Sequence, residues 1–460
     1  MRKRTEAEFR EYALHGNLWG VLFSTGLPLS LFALFNGCFQ LLDTLMASHV
    51  GTIAVSSVAY ISQLEQILNA IGGGLIAGSM VLVSRSYGAG DDELTRKRVG
   101  TLMHLLLLLG IALLCCIPFS GTILRLLGTP EDFVHAGTAY FQVIMVVVVL
   151  NFITTLYLSI EKTRGNTQRI MHLNLMTMAV KLALSAWFIY RLQSDIVMVA
   201  VATASSYAIL AIIGIVNLSH KGSLFSINRK YFPLHKDITF PLLSISYPLS
   251  IEKASFALGK TVVNGMVAGY GVSTVGALGI SNNLSGIVTN LQSGFSDSAG
   301  AIISQNIGAG LWSRAKKAHM ITLCIMTAVS VTGVTILSLF ARPMIHLFAT
   351  SREGSDPAFE ATIWSIFTLD VLSVIPLAVN SANVSFILGM GKTKLELAIA
   401  FCRIFLFRIP VLYAFKHFTT LGTRGIGWMM LTSNGLTAVI SSLLLWMLVR
   451  RHQRTDKEGR

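Results

Sequence analysis

The sequence predicts an all-α integral membrane protein, with about twelve transmembrane helices in two six-helix bundles related by an axis along the membrane normal. Three observations predict it. First, 53% of the residues are hydrophobic and only 13% are charged, with a mean hydropathy of +0.65. Soluble domains carry about 25% charged residues, and so little charge cannot cover a water-facing surface. Second, the apolar residues come in long runs, such as 102–118, 141–160 and 436–449. Each run, with its weakly polar flanks, approaches the roughly 20 residues that cross a bilayer as a helix. Third, the chain repeats itself: Pro28-Leu29-Ser30 returns as Pro248-Leu249-Ser250, and Gly88-Ala89-Gly90 as Gly308-Ala309-Gly310, both at an offset of 220 residues.

Taken in order, helices are expected near 22–49, 54–84, 99–119, 136–160, 170–190 and 196–218, then 242–270, 275–304, 318–340, 360–388, 396–416 and 425–449. In hydrocarbon every backbone N–H and C=O needs an internal partner, so such runs are helices. A transmembrane barrel would need short alternating segments, which the sequence lacks. The basic clusters Arg2–Arg4, Arg96–Arg98, Arg164–Arg169, Lys221–Lys236, Arg314–Lys317, Lys392–Lys394 and Arg450–Arg460 all fall on one side of this arrangement. The positive-inside rule makes that side cytoplasmic and puts both termini there. The net charge of +14 therefore follows membrane topology and does not mark a nucleic-acid surface. The expected organisation is a first lobe over 1–219, a polar cytoplasmic connector over 220–237, and a second lobe over 238–460 with a basic tail. The N-terminus lacks the pattern of a cleavable signal, so the first helix is expected to be retained. The five cysteines lie in apolar stretches without a C-x-x-C and are expected to be small buried hydrophobes.

The repeat runs without a gap through Met46/Met266, Gly51/Gly271, Leu64/Leu284, Gly74/Gly294 and Ser84/Ser304. After a small insertion it resumes, with Gly165-Asn166-Thr167 against Gly391-Lys392-Thr393. Six helices per half is an even number, so both halves enter the membrane in the same sense. A substrate path is then expected between or within the lobes near mid-membrane.

At these residues the chain resembles the multidrug and toxic compound extrusion (MATE) family. The likeness rests on a Pro near the start of helices one and seven and on Asp43 late in helix one. It rests also on the paired Gly-Ala-Gly loops after helices two and eight, on the Arg164-Gly165-Asn166-Thr167 turn, and on Gly425-Ile426-Gly427-Trp428 opening the last helix. The resemblance implies two six-helix bundles around a V-shaped cavity. It also implies export of organic, often cationic, compounds driven by H⁺ or Na⁺.

Charges inside the membrane face a cavity or a partner, because exposure to lipid is costly. Asp43 matches the family's helix-one Asp and is the expected site of cation binding or protonation. Lys181 and Ser185 stand in helix five where family members often carry an Asn and an Asp four residues apart. Asp43 and Lys181 lie at similar depths, so an Asp43–Lys181 pair is expected, with H⁺ favoured over Na⁺ because the resident ammonium already fills the cation's place. Lys181 snorkelling, or acting only to neutralise Asp43, is the other reading. Glu65 and Asn69 share one face of helix two and either line the same cavity or lie in solvent. In the second lobe Lys260 is too deep to reach water unaided, and Asp370 or Asp297 is its expected carboxylate, in a cavity or as a structural pair. Arg403 is expected at the interface, and Arg408 paired or snorkelling.

Gly88-Ala89-Gly90 is not followed by a Walker Lys-Ser/Thr, so transport is expected to be secondary and not ATP-driven. No nucleophile, metal-ligand or acidic repeat marks an enzyme, and no cofactor or metal is expected. The expected protein is a monomeric inner (plasma) membrane antiporter of small molecules, with the lipid bilayer and H⁺ or Na⁺ as its other partners. The alternative is a flippase for a lipid-linked precursor, since Lys181 and Lys260 would suit an anionic headgroup.

Overall fold

The computed structural model describes residues 5–47, 52–126, 131–192, 196–220, 223–226, 234–351 and 354–458. A short helix, α1 (Glu6–His15), precedes the first lobe of α2 (Leu18–Ala47), α3 (Thr52–Gly88), α4 (Asp92–Cys115), α5 (Ser120–Leu126), α6 (Glu131–Thr163), α7 (Thr167–Ala186) and α8 (Ile196–Leu218). The second lobe comprises α9 (Lys236–Ala268), α10 (Val272–Gly308), α11 (Trp312–Ala349), α12 (Pro357–Gly389), α13 (Thr393–Phe401), α14 (Ile409–Phe418) and α15 (Arg424–Glu458). Helices α4 and α5 make one crossing through a 3₁₀ turn, and α13 and α14 make another through a π-helical turn, Cys402–Arg408. Among the described residues ten spans are long and apolar enough to cross a membrane. Helices α9 and α10, of 33 and 37 residues, supply two more crossings. They are less apolar because α9 carries Glu252, Lys253 and Lys260, and α10 a succession of Ser, Asn and Gln.

The sequence repeat appears in space as a pseudo-two-fold seam. Helix α2 packs on α10, and its repeat partner α9 packs on α3. The closest approaches obey the 220-residue offset. A Cβ on Gly74 would overlap the backbone of Ser250, and one on Gly294 the backbone of Ser30. Likewise a Cβ on Gly88 would overlap Gln305, and one on Gly308 would overlap Arg85. Glycine is required there because the two backbones touch. The repeated turns use it for conformation too, with φ of 76° at Gly90 and 75° at Gly310.

Separate apolar clusters fill the two lobes. One joins α3, α4, α6 and α8, and another joins α9 to α12, α14 and α15. A third joins α1 and the start of α2 to α10, α11, α12 and α15. Thr5 and Glu8 cap α1 reciprocally, at 3.2 and 2.9 Å. Phe9 and Ala13 are buried. Glu6 pairs with Arg164 at 3.0 Å, while Asn306 donates to the Ala13 carbonyl at 3.4 Å. The helix therefore bridges both lobes at the face that carries the termini. Of the expected connector, residues 223–226 tuck in beside it, with Ser223 donating to Glu6 and Phe225 buried against Tyr87. Cys115 and Cys324 are exposed rather than buried: they sit on outward helix faces, where hydrocarbon accepts an apolar thiol.

Candidate functional site

A cavity of about 430 Å³ lies between the lobes. It is lined by Phe32 of α2, Met80 and Ser84 of α3, Thr155, Ser159 and Lys162 of α6, Lys253 of α9, and Asp297 of α10. Lys162 Nζ meets Asp297 Oδ2 at 3.0 Å, an ion pair that crosses from one lobe to the other. Asp297 is therefore engaged with the first lobe and not with Lys260. Toward the terminal face two seals close the cavity's floor. Arg85 donates to the Gly389 carbonyl from Nε at 3.2 Å and Nη2 at 2.9 Å. Gln305 donates to the Thr163 carbonyl at 2.9 Å. Arg85 and Gln305 are repeat partners, as are Thr163 and Gly389, so the two seals are copies of one another.

The first lobe holds a polar chain. Glu65 accepts from Asn69 Nδ2 at 3.5 Å, Asn151 Nδ2 donates to Asn69 Oδ1 at 2.9 Å, and Thr155 donates to Asn151 Oδ1 at 3.2 Å. Lys181 lies within electrostatic reach of Glu65. Thr155 also lines the interlobe cavity, so the chain runs from the Glu65 carboxylate to the space shared by both lobes. Ser185, one turn beyond Lys181, is buried with its hydroxyl unpartnered among the described residues. The side chain of Asp43 lies outside the described residues, and the expected Asp43–Lys181 contact with it. Asn151 and Thr155 escaped the sequence reading because a lone Asn or Thr in a helix carries no pattern of its own.

The second lobe has its own cavity, of about 370 Å³, lined by Phe256, Lys260, Asn282, Asp370, Arg403, Arg408 and Asn434. Asp370 is buried, 2% exposed, and accepts from Ser281 at 2.7 Å, Ser285 at 3.0 Å and Ser373 at 3.5 Å. Lys260 Nζ stands 5.0 Å and Arg403 Cζ 4.7 Å from the centre of the Phe256 ring, a cation–π arrangement. Arg408 donates to Ser433 Oγ at 3.5 Å and Asn434 Oδ1 at 3.4 Å. Arg403 thus lines a cavity instead of the interface, and Arg408 is buried within the lobe instead of snorkelling. The cause is the π-helical turn Cys402–Arg408. In a regular α-helix residues five apart point roughly 140° away from each other, whereas i→i+5 winding turns them toward the same side. Lys253 and Lys260, although seven apart on α9, line different cavities. Among the described residues no three or more His, Cys, Asp or Glu gather as metal ligands.

Comparison with known proteins agrees with this architecture. The probable multidrug resistance protein YoeA of Bacillus subtilis is 22% identical over 422 residues, covering 89% of each chain. The FAD transporter of Shewanella oneidensis is 24% identical over 392 residues, covering 81% of this chain and 82% of its own. A crystal structure of MATE in complex with MaL6 superposes with a TM-score of 0.91 at 18% identity, covering 96% of this chain and 99% of its own. The MatE family model matches twice, at residues 28–188 and 248–414, once in each half of the repeat and together over most of the sequence. The chain belongs to the MatE family and is a multi-pass membrane transporter of small molecules.

Proposed function

We propose that the chain is a secondary active exporter of small organic compounds, driven by antiport with H⁺ in preference to Na⁺. The observation that carries this reading is the first-lobe chain: Glu65 beside Lys181, linked through Asn69, Asn151 and Thr155 to the interlobe cavity. A carboxylate that takes a proton there loses its attraction for the ammonium, so proton occupancy changes the electrostatics of the shared space. A bound Na⁺ would face the repulsion of Lys181 in a low-dielectric interior. Asp43 is proposed as a second carboxylate of this site, on its resemblance to the family's helix-one Asp. The basic clusters support a plasma membrane orientation with the terminal face cytoplasmic, in which the Arg85 and Gln305 seals form the inner gate. Transport by a monomer, without covalent chemistry, is the proposed activity. Among relatives, YoeA carries a multidrug resistance name, and the Shewanella protein is named for FAD, a molecule with two phosphates.

The test is transport in proteoliposomes holding the purified chain, with a panel containing both rhodamine 123 and fluorescein. A pH gradient is expected to drive movement of at least one compound, and a Na⁺ gradient of equal size is not. Equal rates under a Na⁺ gradient alone, or undiminished pH-driven transport by Glu65→Gln, would overturn the coupling.

A further inference from the structure

The second-lobe cavity gathers three cations around one carboxylate. That carboxylate, Asp370, is already supplied by three serine hydroxyls. Among the described residues no acid lies within ion-pair distance of Lys260, Arg403 or Arg408. Glu252 reaches Arg403, and Asp370 reaches Arg408, only as longer-range charges. The Nε of Arg403 has no hydrogen-bond partner, and the bonds of Arg408 are long and go to neutral groups. The three cations also lie within electrostatic reach of one another. Positive charge in excess of its counter-charge inside a helix bundle is costly, and guanidinium groups with free N–H donors are the natural partners of carboxylate and phosphate. The Phe256 ring holds Lys260 and Arg403 through its face, a weak tie that an anion would outcompete.

We propose that this cavity binds the carboxylate or phosphate group of an organic anion, between Lys260 and Arg403 with Arg408 behind them. Taking that anion as cargo rests on the transport reading above. It reverses the cationic cargo implied by the family resemblance. Asp370 keeps a role in this arrangement: it limits the positive excess and holds α10 to α12 through its serines.

The experiment uses the full chain in phosphatidylcholine nanodiscs, with equilibrium binding read by fluorescence anisotropy. The probes are fluorescein, an anion, and rhodamine 123, a cation on the same three-ring core. Fluorescein is expected to bind at least about tenfold tighter. Lys260→Gln and Arg403→Gln are each expected to weaken fluorescein about tenfold and to leave rhodamine 123 unmoved. Lys260→Arg is expected to restore binding, and Asp370→Asn to tighten it. Tighter binding of rhodamine 123 overturns the proposal. So does unchanged fluorescein binding in Gln variants that unfold at the same temperature as the parent chain. Adding phosphatidylglycerol to the disc distinguishes the source: displacement of fluorescein places the anion on a lipid headgroup, and no displacement places it on soluble cargo. Because binding needs no gradient, a fluorescein site without gradient-driven transport would sink the exporter reading alone. Gradient-driven transport of rhodamine 123 without a fluorescein site would sink only this one.

Discussion

The two lobes come from one repeated unit, yet their polar centres differ in electrical character. In the first, Glu65 has Lys181 for company and a run of amide and hydroxyl groups leading to the interlobe cavity. In the second, the position 220 residues after Glu65 is Ser285, and the acid has moved to α12 as Asp370. The helix that repeats α7 there contributes Arg403 and Arg408. Duplication kept the place of the polar pocket and exchanged its contents. An acid with one cation in electrostatic reach suits an ion that comes and goes. An unbalanced cationic pocket suits a ligand that brings its own negative charge. On the proposed reading, one duplication supplied both a coupling site and a ligand site.

The sharpest test of this division is to neutralise the acid in each lobe. Glu65→Gln is expected to cut pH-driven transport by about 30-fold or more, since removing a coupling group in a site of this kind costs at least 2 kcal/mol. Asp370→Asn is expected to keep pH-driven transport within about threefold while altering affinity, a difference well under 1 kcal/mol in rate. Equal loss of coupling in both variants, measured in proteoliposomes, would erase the distinction.

Removing one cation from each lobe should move stability in opposite directions. Lys181→Met removes the cation in reach of Glu65, which keeps its bond from Asn69, and is expected to destabilise the chain by about 1 kcal/mol. Arg403→Met replaces a cation without an ion pair among the described residues by an apolar side chain of similar length. It is expected to raise the stability of the ligand-free chain by about 1 kcal/mol. Thermal unfolding in detergent reads both, and shifts of the same sign would contradict the comparison.

The two seals differ in a smaller degree. Arg85 spends a charge on the Gly389 carbonyl, and Gln305 a neutral amide on Thr163. Hydrogen bonds from charged groups contribute about 1.5–3 kcal/mol and neutral ones about 0.5–1.5. Arg85→Ala should therefore raise maleimide labelling of Ser84→Cys from the terminal face by about tenfold, and Gln305→Ala by about threefold, with the native cysteines first replaced by serine. The smallest effect is expected at the rim: Arg10→Ala breaks the exposed 3.0 Å pair with Asp92. It should change stability by less than about 1 kcal/mol, because water screens what the interior does not.

Much of the fold was legible because hydrocarbon imposes one rule on every crossing segment. Apolar runs gave the helices, and the recurrence of Pro28 and Gly88 at Pro248 and Gly308 anticipated a seam at which Gly74 and Gly294 admit the opposite backbone. The pockets were less legible. Charged residues inside the membrane announce themselves, which singled out Glu65, Lys181, Lys260 and Asp370, but their partners depend on which faces meet. Asp297 found Lys162 across the seam, a contact that no local spacing encodes. Arg403 and Arg408 come together only because the helix winds more loosely between them, and a reading that assumes regular winding separates them. The short helix α1 escaped notice because its mixed charges resemble a solvated tail, while its anchorage at Phe9 and Ala13 exists only once both lobes are in place.

That anchorage carries a consequence for assembly. The carbonyl of Ala13 accepts from Asn306 and Arg314, residues made some three hundred positions later. The berth of α1 is therefore incomplete until the segment carrying Asn306 and Arg314 is in place, and a contact of such long sequence separation forms late. Residues 5–16 work as a bolt across the two lobes, held by Arg164 on one side and by Asn306 and Arg314 on the other.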